Sequence, residues 1–132
     1  MVTTHRPPVF LFDGDCAFCS SCARWVERWI PTPTTLAAWQ LTELEPLGAT
    51  LEEVDAAVVL VDPALRRTSG PEAFAGLLRS STSAPWRAAG RLLATRPVLA
   101  LAWPVYRSIA RNRHRMPGGT PQCSLPQAER DR

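Results

Sequence analysis

The stretch Val9-Phe10-Leu11-Phe12-Asp13-Gly14-Asp15-Cys16-Ala17-Phe18-Cys19 decides the fold. Four consecutive apolar residues closed by Asp-Gly-Asp have the form of a strand buried on both faces and ending in a turn. From Cys19 the period changes. Cys19, Cys22, Ala23, Val26, Trp29 and Ile30 mark one face of a helix, Ser20, Ser21, Arg24, Glu27 and Arg28 mark the other, and Pro31 ends it. A Cys-x-x-Cys pair thus falls where a buried strand passes into a helix.

That position has chemical meaning. The thiolate is the reactive form of cysteine, and the unpaired N–H groups and positive dipole end of a helix N-terminus favour it there. Two intervening residues place the second sulfur one turn on, where it can attack a mixed disulfide and release the substrate. On this reading Cys16 is the nucleophile and Cys19 the resolving thiol. Asp13 admits two roles, proton acceptor for Cys19 during resolution or cap of the turn and helix. Asp15, beside Cys16, opposes the helix dipole. Cys22 extends the spacing to Cys16-x-x-Cys19-x-x-Cys22, part of an iron–sulfur pattern, but the required fourth cysteine is missing nearby. Cys123 is the remaining candidate and lies in the C-terminal tail, as a plain tail residue or an alternative resolving partner. Cys22 therefore reads as a core residue, and no metal or cofactor is expected.

Downstream, Thr35 to Leu41 alternates weakly and carries Trp39, which predicts a second strand parallel to the first and completes a βαβ unit. Thr42-x-x-Glu45 and Thr50-x-x-Glu53 both fit capping boxes of short helical turns. Ala56 to Val61 reads as a central strand, Asp62-Pro63 as a turn, and Leu65 to Thr68 as its hairpin partner. Ser69 to Glu72 starts a helix with Ala73, Phe74, Leu77 and Leu78 buried, and Trp86, Ala89, Leu92 and Leu93 recur at helical spacing in another. Pro104 suits the first position of a last helix, with Val105, Tyr106, Ile109 and Ala110 inward and Arg107, Arg111 and Arg113 outward. A Pro/Gly-rich tail follows from Met116, expected to be loosely ordered. The expectation is an α/β fold, a thioredoxin-like β-α-β…β-β-α core with a C-terminal helical extension. It forms a single domain over residues 1–132, with a core at about 8–80, the extension at about 84–115 and the tail at about 116–132.

Composition agrees with one domain, since 132 residues with 45% apolar content, five Trp and four Phe supply a sizeable core. All 15 basic residues are Arg, which excludes Schiff-base lysine chemistry and a P-loop lysine. The formal charge of +3 is a mild excess that argues for no nucleic-acid partner by itself. The residues before the first strand lack a signal-peptide apolar run, so a cytoplasmic location is expected, where cysteines serve catalysis or metals more than structural bridges. The apolar stretch Pro97 to Val105 is far short of the roughly 20 residues that span a bilayer. His5 and His114 have no recognisable Cys or acidic partner in sequence and read as solvated.

The segment Leu11-Phe12-Asp13-Gly14-Asp15-Cys16-Ala17-Phe18-Cys19 resembles the opening of the DCC family of thiol-disulfide oxidoreductases, named for the Asp, Cys and Cys of a DGxCxxC motif. Asp13, Cys16 and Cys19 match that triplet. The resemblance extends to the strand near Val58 to Asp62, the Ser69 to Leu78 helix, Tyr106 to Arg113, and Cys123-Ser124-Leu125-Pro126, nearly the whole chain. It implies a thioredoxin-like fold and exchange with a thiol or disulfide substrate, protein or small molecule. One departure is that Val54 and Asp55, ahead of the Ala56 strand, supply no proline to face the redox pair.

Two other classes have partial signals in the sequence. Asp13-x-Asp15 after a strand is similar to the first motif of haloacid-dehalogenase-type phosphatases, which use an aspartyl nucleophile and Mg²⁺, but Ala17 does not fit that pattern. A redox-inactive binding module would instead use the Arg face at 107–115 for an anionic partner, whereas that face also reads as simply solvated.

Overall fold

The computed structural model describes residues 3–112. The Arg113 to Arg115 part of the basic face, His114, Cys123 and the tail lie outside those residues. Strand β1 (Val9–Phe12) is followed by α1 (Ala17–Trp29), β2 (Thr35–Ala38), α2 (Leu51–Ala56), β3 (Val59–Val61), β4 (Arg67–Ser69), α3 (Pro71–Arg79), α4 (Ala84–Leu93) and α5 (Arg96–Asn112). Two single 3₁₀ turns, Trp39–Leu41 and Glu45–Leu47, join β2 to α2.

The strands form one sheet in the order β2-β1-β3-β4. β1 runs parallel to β2, with Val9 opposite Thr35, and antiparallel to β3, with Val9 opposite Val61. β3 and β4 pair antiparallel as a hairpin. This is the mixed α/β arrangement of a thioredoxin-like fold with an added C-terminal helix.

The unbroken apolar run of β1 follows from two covered faces, because side chains alternate along a strand. Val9 and Leu11 join Val59, Val61, Ala37, Trp39, Leu47 and Val54 in one core. Phe10 joins Leu60 and meets Val26 and Ile30 of α1 and Ala73 and Leu77 of α3 in the other, with Phe12, Leu36, Val58 and Phe74 packed against it. A short strand with both neighbours in place and both faces covered becomes the centre of the packing around the sheet.

Several expected boundaries shift. The strand expected to reach Leu41 stops at Ala38, where a 3₁₀ turn buries Trp39. The strand expected from Ala56 begins at Val59, because Thr50 and Glu53 close a true capping box and carry α2 through Ala56. The Thr42 box does not form; its hydroxyl donates back to the Ala38 carbonyl. The last helix begins at Arg96, with Pro104 inside it. Ala100, the residue whose carbonyl loses a helical donor to that proline, lies on the solvent-exposed side of the helix.

The apolar residues of the later helices also point otherwise than expected. Ala89, Leu92, Val105 and Ile109 are exposed. Gly90 is the residue α4 turns to α3, and a Cβ there would lie 2.8 Å from the Ala75 carbonyl oxygen and 2.7 Å from Arg79 N. That close approach sets the contact face of α4 by size, and Trp86, one turn earlier on the same face, adds apolar packing against the core and the Trp25 ring. In α1, Ala23, Val26 and Ile30 take the sheet side, leaving Trp29 54% exposed beneath the Arg28 guanidinium, 5.3 Å from the ring centroid.

Candidate active site

The site is built at the turn from β1 to α1. Cys16 occupies the N-cap of α1 in extended conformation, and its carbonyl accepts from Ser20 N–H at 2.9 Å. Its own N–H donates to the Asp13 carbonyl at 3.3 Å, closing the Asp-Gly-Asp turn. Cys19 lies one turn on, half-buried. The predicted pair thus sits at the opening of the first helix, with Cys16 at the end where backbone N–H groups are unsatisfied.

Asp13 is buried under the same turn. Its Oδ1 accepts from Asp15 N–H at 3.1 Å and from Gln40 Nε2 at 2.8 Å. Gln40 in turn accepts the Gly14 N–H at 2.9 Å, so one amide side chain from the 3₁₀ turn after β2 holds both Asp13 and Gly14. Gly14 is required here by space, since a Cβ would lie 2.5 Å from the Ala38 Cβ. Sequence reasoning missed Gln40, and nothing local to Gln40 signals it, because its partners lie 26 and 27 residues earlier.

The two sulfurs differ in access. Cys16 is 0% exposed and disulfide-bonded. Cys19 instead lines a cavity of about 520 Å³ together with Asp13, Phe12, Phe18, Phe74 and Tyr106. Cys22, expected in the core, is an exposed residue of α1 whose thiol rests against the same cavity wall, and partial burial pushes its pKa up. It is correspondingly poor in thiolate at neutral pH. No group of three or more His, Cys, Asp or Glu side chains able to hold a metal ion occurs among the described residues.

The far wall comes from elements that the local motif does not name. Ala57 and Val58 lead into β3, and Val58 N–H donates to the Tyr106 hydroxyl at 3.2 Å, tying α5 to the strand. The Tyr106 ring meets Phe74 edge-on at 6.4 Å and Trp103 at 5.9 Å. Tyr106 was expected to point inward, and its hydroxyl contact with the backbone explains why a tyrosine serves there. Arg107 and Arg111 are exposed as expected, and Arg107 lies over the Trp103 ring.

A model of the DCC1-like thiol-disulfide oxidoreductases matches residues 10–119, from the centre of β1 to beyond α5. The chain belongs to this family. The match spans the Cys16-x-x-Cys19 pair, the four-stranded sheet and α5, so the family embraces the helical extension as well as the core. Membership carries an oxidoreductase type of function and a thiol or disulfide as the kind of substrate. No curated protein and no solved structure matches the chain. No helix among the described residues is long and apolar enough to cross a membrane.

Proposed function

We propose that this DCC1-like chain exchanges a Cys16–Cys19 dithiol with disulfide substrates. The observation that carries the reading is the placement of Cys16 at the N-cap of α1 with Cys19 one turn on, facing a cavity. The Cys16 thiolate attacks one sulfur of a substrate disulfide; the Cys16–substrate bond forms and the first substrate thiolate leaves. The Cys19 thiolate then attacks the Cys16 sulfur and the second thiolate leaves. The protein dithiol is oxidised by two electrons and the substrate disulfide is reduced to two thiols. Asp13, lining the cavity beside Cys19, takes the Cys19 proton before the second step. Its bonds from Gln40 and Asp15 hold the carboxylate in place for that role, and the same bonds cap the turn.

In its disulfide-bonded form Cys16 is sealed from solvent; attack of the Cys19 thiolate on its sulfur forms the Cys16–Cys19 disulfide and releases the other sulfur as a thiolate.

The test is a redox titration in glutathione buffers with thiol trapping and mass mapping, on the chain and on Cys16→Ser and Cys19→Ser. A reversible two-electron couple on Cys16 and Cys19, between about −120 and −270 mV, is expected. Cys16→Ser should abolish it, and Cys19→Ser should leave stable mixed disulfides on Cys16. Thiols that stay unreactive, or a couple that survives Cys16→Ser, would overturn the reading. Asp13→Asn is expected to slow release of the mixed disulfide while sparing its formation.

A further inference from the structure

The outward face of α5 is apolar along its length. Trp103 lies against Gly70, and the Tyr106 hydroxyl takes the Val58 N–H at 3.2 Å, so these two side chains fix which side of the helix meets the core. Leu101, Val105 and Ile109 recur at helical spacing on the other side and form one stripe, 73%, 58% and 39% exposed. Exposed Pro97, Ala100 and Pro104 continue it. Apolar side chains exposed as a continuous stripe, unlike single ones, mark a surface that meets a partner or a membrane.

One edge of the stripe is basic. Arg96, Arg107 and Arg111 are spaced by near-whole turns of α5 and share that edge, all exposed. α4 repeats the composition, with Ala88, Ala89 and Leu92 exposed beside Arg91. Residues 84–112 contain no Asp or Glu. The chemistry of this face selects its occupant. A nucleic acid would meet the guanidiniums through its phosphates but give the stripe nothing to bury against. A second copy presenting the same face offers no carboxylate to the Arg edge. An anionic bilayer supplies both halves, an acyl boundary for the stripe and headgroup charge for the guanidiniums.

We propose that the α5 face docks this protein on the surface of anionic lipid bilayers. The helix lies along the interface and does not cross it, in keeping with the absence, among the described residues, of any helix long and apolar enough to span a membrane. Leu101, Val105 and Ile109 enter the headgroup–acyl boundary, and the Arg side chains lay their methylene stems beside them while the charged heads meet lipid phosphate. Ile109 also lines the cavity beside Cys19, so docking holds that cavity at the lipid surface. The proposal stands on this surface alone and does not rest on the disulfide-exchange reading.

The test is flotation of the full chain with vesicles of phosphatidylcholine, alone or carrying about one-third phosphatidylglycerol. Partition at least about tenfold stronger onto the anionic vesicles is expected at low salt, weakening as salt is added. Arg96→Gln and Arg107→Gln should each cost about fivefold on those vesicles. Leu101→Asp, at a site exposed enough to leave the fold intact, should remove the binding, with Val105→Asp as a second variant if the first fails to fold by circular dichroism. No binding to either vesicle, or equal binding to both, would overturn the proposal. So would anionic binding that persists unchanged in a folded Leu101→Asp or Val105→Asp chain, because attraction of a basic protein would then suffice without the stripe. Sedimentation equilibrium covers the remaining occupant: a dimer that Leu101→Asp dissociates, with no vesicle binding by the parent, would assign the face to a second copy and overturn the lipid reading.

Discussion

The stretch from β1 to α3 and the pair α4–α5 are built on different terms. All the buried apolar core residues among those described lie between Val9 and Leu77, whereas α4 buries only Gly90 and α5 buries no residue fully. Residues 84–112 contain no Asp or Glu and carry Arg87, Arg91, Arg96, Arg107 and Arg111, while all the acidic residues of the described part precede Ala73. The first region is held by burial. The second is held by contacts made onto the first, among them Trp86 against the core, Gly90 against α3, Trp103 over Gly70 and the Tyr106 hydroxyl on Val58 N–H. The consequence is a division of labour in which the core positions the cysteines and α5 supplies one wall of the cavity beside Cys19.

The largest expected contrast lies between truncations in the two regions. Leu77→Ala, at a fully buried site on α3, should cost roughly 2–5 kcal/mol in a urea or thermal melt. Leu101→Ala, at a site on α5 that is 73% exposed, should fall within about 0.5 kcal/mol of the parent. Equal losses at both positions would show that α5 is as deeply integrated as the core, and the comparison would break.

Gly14→Ala probes the seam between the β1–α1 turn and β2. The added methyl meets the Ala38 Cβ, so a loss of about 1–3 kcal/mol is expected, and the displaced Gln40 amide should shift in NMR spectra together with its bond to Asp13. An unshifted Gln40 amide would mean that the turn gives way elsewhere.

Tyr106→Phe sharpens the role of the helical layer. It removes the acceptor of Val58 N–H while keeping the ring contacts to Phe74 and Trp103. About 1 kcal/mol of stability should be lost, and the Val58 amide should exchange with deuterium faster. An unchanged amide would place the attachment of α5 on its rings alone.

The smallest effect concerns the surface link between α2 and β4. Arg67 Nε donates to Glu53 Oε2 at 2.9 Å, and the Arg67 guanidinium, followed by the Thr50 cap, holds the Glu53 carboxyl below its ordinary value. A carboxylate with a depressed folded pKa adds stability above its unfolded value, about 4.3, and loses that contribution as the pH falls through the folded value. Both side chains are about one-third exposed, so the gain over Glu53→Gln should be only a few tenths of a kcal/mol at pH 7. It should vanish in melts below the depressed value; a constant difference across that range would assign it to the cap geometry instead.

Much of the core and the cysteine pair was legible because the signals are local. Val9 to Phe12 announces burial on both faces, the change of period at Cys19 announces a helix, and Thr50 and Glu53 cap each other across one turn. Those features depend on residues within a few positions of one another, where backbone geometry alone sets the neighbours. Local pattern is therefore enough to specify the strand–CxxC–helix unit, the parallel return of β2, the β3–β4 hairpin and α3.

Tertiary structure decided the rest. Which side of α4 and α5 faces inward is set by a glycine-sized approach to α3 and by a hydroxyl reaching Val58, so apolar residues such as Leu92 and Val105 end outside despite their periodicity. The bonds of Gln40 to Asp13 and Gly14, the sealing of Cys16 and the exposure of Cys22 arise from pairings across 20 or more residues or from the close packing of whole elements. Periodicity reports where a helix could bury a face, whereas the partner available for that face is fixed only once the chain has closed on itself.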